Sequence, residues 1–290
     1  MRRCHGGNVD CAWGRLLKRA PALVIGLVLA GCAAVPDRFE GRSEGRFEAR
    51  AQALGLAPGW IDAGGYRLRL FRNRTISPGV RLYLYLDGDG LPWLTRTKVA
   101  ADPTPHNPLV LELLAQGPAP ALYLGRPCYH GEQDAAGCSP WLWTAGRYSE
   151  PVIAAMAAAL ERLIATESIA QVTVIGYSGG GVIGWHLAQR VPEVDQLVTL
   201  AANLDLQAWS LRHRYSPLIG SLDPATGAPM RSGVQQLHLF GRQDRNTPAA
   251  LTAAMQARFG PAFRRQLVEA GHAEGWLEHW PALLNALDPS

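Results

Sequence analysis

The stretch Gln171-Val-Thr-Val-Ile-Gly-Tyr-Ser-Gly-Gly-Gly-Val-Ile-Gly-Trp-His186 limits what this chain can fold into more than any other. A short apolar, β-branched run stops at a serine between glycines, and a helix-compatible pattern follows at once. Gly176 to Gly180 fit G-x-S-x-G, whose small flanks let the chain turn sharply from strand to helix and hold the serine in a strained backbone conformation. With 31 glycines in 290 residues, chance alone supplies about 0.1 such matches per chain, the product of composition and length. Context must therefore carry the assignment.

The context is a repeated alternation of strand and helix. Trp60 to Phe71 reads as two short alternating runs joined through Gly64 and Gly65, a β-hairpin. Val80–Leu86 reads as a buried strand running into Asp87-Gly88-Asp89-Gly90. Pro108 to Gln116 suits a helix, and residues 119–124 suit the next strand. Ser149 and Pro151 mark the start of an alanine-rich helix reaching about Thr166. Beyond the central stretch, strands are expected at Val194–Ala201, Gln235–Phe240 and near Phe263–Glu269, with helices over Pro248–Phe259 and near Gly275–Leu287. Such alternation implies a three-layer α/β domain with a mostly parallel sheet and helices on both faces.

The N-terminus reads differently. Arg2, Arg3, Arg15, Lys18 and Arg19 form a basic region, followed by the uncharged apolar run Ala20 to Ala30, which is the order of an export signal. That run is shorter than the roughly 20 residues a membrane-spanning helix needs. Leu29-Ala30-Gly31-Cys32 resembles the lipobox of bacterial lipoproteins, which implies a signal over 1–31 and lipid attachment at Cys32. Residues 32–59, rich in Arg, Glu and Gly, read as a tether with a short helical turn, keeping a domain over 60–290 clear of the membrane. Ala33 follows the cysteine where lipoproteins of the enteric type use aspartate for inner-membrane retention. The expected location is therefore the periplasmic face of the outer membrane.

Charge and cysteines agree with export. Five of the 28 basic and one of the 24 acidic side chains lie in residues 1–31, so the rest of the chain is formally neutral. A pI of about 8.9 then describes the signal and gives no support to nucleic-acid binding. Cys4 and Cys11 would leave with the signal, so Cys128 and Cys138 remain as one pair. In an oxidising compartment they are expected to form a disulfide closing a short loop, worth on the order of 3 kcal/mol in the loop-entropy model. The competing reading is a metal site of Cys128, His130 and Cys138, although it lacks the second ligand pair of structural zinc sites.

Taken together, Trp60 to Leu287 resembles an α/β-hydrolase, on motif order more than on any one motif. In that fold the nucleophile follows one strand, an acid a later strand and a histidine the last; Ser178, Asp244 and His272 match this order. The resemblance implies that His272 takes the proton of Ser178 as it attacks and that Asp244 orients the ring. Asp205 after the preceding strand is the rival acid. His279 is the rival base, and His186 lies too far along its helix. The residue after the nucleophile, Gly179, would give one oxyanion donor. Where many family members carry a His-Gly motif this chain has Asp87 to Gly90, with the Asp89 N–H as the expected second donor. Its two carboxylates should point away or pair with Arg126 or Arg147. A calcium loop there is disfavoured because two acids supply too few ligands, and no metal or cofactor is expected.

Residues 204–233, with Trp209 and Tyr215, could form a small cap, and with Trp93, Trp141 and Trp143 could line an apolar pocket; packing of the loops accounts for them equally well. The functional expectation is a serine hydrolase acting on a small-molecule ester, thioester or amide through an acyl-enzyme. The alternatives are a peptidase on the same scaffold, or a catalytically silent envelope protein that binds a partner.

Overall fold

The computed structural model describes residues 41–287, so the expected signal, Cys32 and the first part of the tether lie outside the described residues. The elements are α1 (Gly41–Ala53), β1 (Ala57–Ala63), β2 (Tyr66–Arg72), β3 (Arg81–Leu86), α2 (Leu109–Gln116), β4 (Ala121–Leu124), α3 (Glu150–Glu167), β5 (Gln171–Tyr177), α4 (Gly179–Arg190), β6 (Val194–Leu200), α5 (Leu206–His213), β7 (Gln235–Gly241), α6 (Ala253–Phe259), β8 (Arg265–Val268) and α7 (Trp276–Leu287). The strands form one sheet in the order β1-β2-β4-β3-β5-β6-β7-β8. β1 and β2 form the expected hairpin and β2 meets β4 antiparallel; the remaining pairings are parallel, with helices in the crossovers.

The sheet is buried on both faces because its strands alternate two apolar sets. Leu82, Leu84 and Leu86 of β3, with Val172 and Val174 of β5, join one cluster with Met156 and Leu160 of α3 and Val182 and Ile183 of α4. Tyr85, Ile175, Val198 and Leu200 point the other way, into a cluster with Phe47 of α1, Leu111 and Leu113 of α2, and Trp276 and Trp280 of α7. Each fully buried Leu or Val is worth roughly 1.5–3 kcal/mol relative to exposure. The two clusters hold β3, β5 and β6 rigidly, and their C-terminal ends carry the loops described next.

The tether expected over 32–59 needs correction where the structure describes it. Residues 41–53 form a 13-residue helix, and Phe47 and Ala51, one turn apart, are buried. Phe47 packs against Phe71, Tyr123 and His130, with ring centroids 5.9, 5.3 and 5.0 Å away, while Glu48 pairs with Arg69 and Arg50 with Glu112. Two apolar positions on a charged helix give a weak periodic signal, so the sequence reads as linker although the domain already includes Gly41. The helix expected over 248–259 splits into a 3-10 turn, Ala249–Thr252, and α6.

Candidate active site

Ser178 stands between β5 and α4 with φ 50° and ψ −121°, a left-handed φ costly for a residue with a side chain. The surroundings over-determine that conformation. The Ser178 N–H donates to Leu200 O at 2.8 Å, and the Gly181 N–H returns to Ser178 O at 3.0 Å. A Cβ on Gly176 would lie 2.5 Å from Gly180 O, and one on Gly180 would lie 2.2 Å from Leu86 O. Only glycine lets the helix start this close to the sheet.

His272, on the loop after β8, brings Nε2 to 3.2 Å from Ser178 Oγ. Its Nδ1 is 2.9 Å from Oδ2 of Asp244, which follows β7. The Asp244 carboxylate also accepts from the Asn246 N–H at 2.7 Å, the Thr247 N–H at 2.9 Å and the Thr247 hydroxyl at 2.7 Å. Burial alone would raise the Asp244 carboxyl, but His272 and Thr247 together hold it below its ordinary value. The structure thus brings together the three residues predicted from motif order. The rivals are placed elsewhere: Asp205 caps α5, accepting from the Ala208 N–H at 2.8 Å. His279 Nε2 meets Glu269 O and His186 Nε2 meets Leu222 O, both at 3.0 Å.

The loop after β3 passes directly over Ser178: a Cβ on Gly88 would lie 3.3 Å from Ser178 Cβ. The Gly88 N–H is taken by Asp87 Oδ1 at 2.7 Å. The N–H groups of Asp89 and Gly179 have no acceptor among the described residues, which leaves them available to a developing oxyanion. The Asp89 carboxylate packs against Gly179, with no room for a Cβ between them, and receives Arg126 at 2.9 Å, Arg147 at 2.8 Å and the Tyr148 hydroxyl at 2.7 Å. Burial pushes the Asp89 carboxyl up, but the two guanidinium groups and Tyr148 overcome it and hold it at about 2. The Tyr129 hydroxyl donates to Asp89 O and Arg126 to Asp87 O, so the loop is gripped through its backbone as well. Asp87 lacks such pairing: burial, offset in part by the Gly88 N–H and Arg126, pushes its carboxyl up to about 7.

Cys128 and Cys138 form a disulfide with S–S 2.07 Å, closing a loop in the segment that carries Arg126, Tyr129 and Arg147. His130 is not beside them as a ligand. Its Nε2 meets the Tyr123 hydroxyl at 2.9 Å. Among the described residues, no cluster of three or more His, Cys, Asp or Glu side chains could hold a metal ion.

One residue at the site carries no signal in the sequence. Asn246 Nδ2 lies 3.0 Å from His272 Nε2, and the Asn246 Oδ1 accepts from the Trp209 indole at 3.1 Å. Asp244-Arg-Asn-Thr247 looks like an ordinary turn before a helix, and the partner Trp209 sits in α5, within the expected cap segment.

A cleft of about 820 Å³ opens above Ser178 and His272, walled by Trp93, Trp209, Tyr215 and Leu218. The cap segment therefore contributes to the wall, as two of the aromatics suggested. Trp93, Trp209 and Tyr215 thus line the cleft, three of the five aromatics named from the sequence; Trp143 is instead buried and donates to Ala100 O at 3.1 Å. Trp141 packs over Gly146 and Gly220. Arg96, Arg147 and Arg214 also line the cleft.

No protein-family model matches the sequence, and no curated protein resembles it at significant similarity. Solved structures do. An esterase of Pyrococcus furiosus superposes with a TM-score of 0.56 at 13% identity, over 81% of this chain and 92% of its own. A Xanthomonas campestris member of the α/β serine hydrolases, described as lacking a lid, gives 0.52 at 11% identity, over 81% and 96%. A puromycin-hydrolysing peptidase of Mycobacterium tuberculosis gives 0.60 at 14% identity, over 81% of this chain and 39% of its own. At such identities the likeness establishes the fold: this chain has the α/β-hydrolase fold.

Proposed function

We propose that the protein is a serine hydrolase cleaving a carboxylic ester through an acyl-enzyme, with Ser178 as nucleophile, His272 as general base and acid, and Asp244 as the orienting acid. The observation that carries this reading is the continuous hydrogen-bonded line from Ser178 Oγ through His272 to Asp244. His272 Nε2 takes the hydroxyl proton as Oγ attacks the substrate carbonyl carbon, and the carbonyl π electrons move onto oxygen. The Asp89 and Gly179 N–H groups receive that oxygen. Collapse of the intermediate expels the leaving group, which takes the proton from His272. Water then repeats the sequence on the acyl-enzyme. The aromatic wall of the cleft favours an ester with an apolar arm.

A panel of p-nitrophenyl esters against aminoacyl p-nitroanilides tests the substrate class. Ester hydrolysis that disappears in Ser178→Ala is the expected result. Cleavage of the anilides alone would favour a peptidase, and no turnover of either would favour a silent binding protein. The lipobox resemblance at Cys32 supports a lipid-anchored protein at the periplasmic face of the outer membrane. Membrane fractionation should find the native chain sedimenting with membranes and Cys32→Ser released from them; equal release of both sinks the anchor.

A further inference from the structure

Asn246 stands where two hydrogen-bond chains meet. An indole N–H can only donate, so the Trp209 contact at 3.1 Å commits Asn246 Oδ1 as acceptor. The group 3.0 Å from His272 Nε2 is then the amide NH₂, which also can only donate. Nε2 must therefore be the unprotonated nitrogen of a neutral ring, with the ring proton on Nδ1 facing Asp244 at 2.9 Å. The Asn246 main chain is fixed independently: its N–H donates to Asp244 Oδ1 at 2.7 Å, and its carbonyl meets His213 Nε2 at 2.8 Å.

Nε2 has one in-plane lone pair, and Ser178 Oγ lies 3.2 Å from the same nitrogen. Two donors thus share one acceptor. We infer that Asn246, oriented by Trp209, is a positioning residue that holds His272 as the neutral Nδ1–H tautomer and competes with Ser178 for Nε2. The inference deepens the hydrolase reading and rests on it for its catalytic consequence. When the Ser178 O–H bond breaks and its proton moves to Nε2, the new N–H faces the Asn246 NH₂, donor against donor, and the amide must turn away. The resting contact therefore favours the neutral ring over the imidazolium. Its removal leaves Ser178 as the one donor to Nε2 and frees the ring from that preference.

The other groups facing this ring are constant across the variants proposed. Asp244 of the loop after β7 lies at Nδ1 with the Thr247 hydroxyl 3.4 Å from the same nitrogen, and the Tyr177 ring at the end of β5 lies 5.4 Å away. Glu274 shares the His272 loop, Arg245 adjoins Asn246 in the chain, and His213 of α5 reaches the Asn246 carbonyl.

The test is nitrogen NMR of the ¹⁵N-histidine-labelled full chain, titrated from about pH 4 to 9. Asn246→Ala and Trp209→Phe are followed beside the native protein, with His272→Gln to assign the signal. Fluorophosphonate labelling rates are measured in parallel. The native ring should show the Nδ1–H tautomer. Both variants should move the acid limb of the labelling rate to higher pH, and the ring nitrogen signals should move with it. Trp209→Phe is the sharper arm, because it leaves Asn246 and every charge in place. An Nε2–H tautomer in the native protein, or unchanged midpoints in both variants, overturns the inference. Shifted midpoints without labelling that depends on Ser178 would uphold it and sink the hydrolase reading instead.

Discussion

Ser178, Asp244 and His272 were legible in the sequence because chain order preserves strand order: each follows a strand of the same sheet, and each strand ends at the same edge. What the sequence could not show is how tightly each is held. Asp244 receives four donors, two of which are amide N–H groups that lock it as an acceptor. Asp244→Asn would offer a donor to His272 Nδ1 and reverse the ring tautomer. The proposed mechanism then predicts a fall of about 10⁴ in kcat, the scale seen when a triad acid becomes an amide, with melting temperature little changed; steady-state kinetics and thermal unfolding measure the two. Asn246 was invisible for a different reason: its role depends on Trp209, 37 residues away. No local pattern marks such a pair.

At the scale of elements, strands were read well wherever two apolar faces made a dense hydrophobic run, as in β3 and β5. Helices with a narrow apolar stripe were not. α1 buries Phe47 and Ala51 on an otherwise charged surface, and α5 buries Leu206 and Trp209 with little else apolar. Phe47→Ala should destabilise the domain by about 3–5 kcal/mol, the range for emptying an aromatic site in a core; urea unfolding measures it. A loss below about 0.5 kcal/mol, typical of surface positions, would return α1 to the status of tether. The loop from Asp87 to Gly90 was the clearest departure from the common pattern, and its carboxylates find different solutions. Asp89 is neutralised by two buried arginines, one of which, Arg126, also holds the loop backbone at Asp87 O. Asp89→Asn leaves those arginines without their anion. It should lower kcat by about tenfold or more while altering KM less, the pattern expected when oxyanion donors lose their aim.

Over the whole molecule, buried titratable groups give stability a direction with pH. Burial holds His130 and His238 at about 3, against an ordinary 6.5. Both are neutral when folded, so their contribution is present above pH 6.5 and lost as pH falls toward 3. Asp87 works in the opposite sense: raised from 3.8 to about 7, it favours the fold below pH 4, and that contribution is lost as pH rises through 7. Between about pH 4 and 6.5 the unfolded chain binds two protons at the histidines while the fold binds one at Asp87. These groups therefore make stability rise with pH by about 1.4 kcal/mol per unit, and Asp87→Asn should make the rise steeper. Urea unfolding from pH 4 to 7 tests both slopes. The same fold raises the C-terminal ends of β3, β5, β7 and β8 around one cleft, with Ser178 at its floor. The most direct measurement is treatment of the native chain with a fluorophosphonate, followed by peptide mass spectrometry to locate the adduct. One phosphonyl group on Ser178 is expected, with none in Ser178→Ala and much slower modification in His272→Gln. A native protein left unmodified, or an adduct on any other residue, would contradict the proposed mechanism.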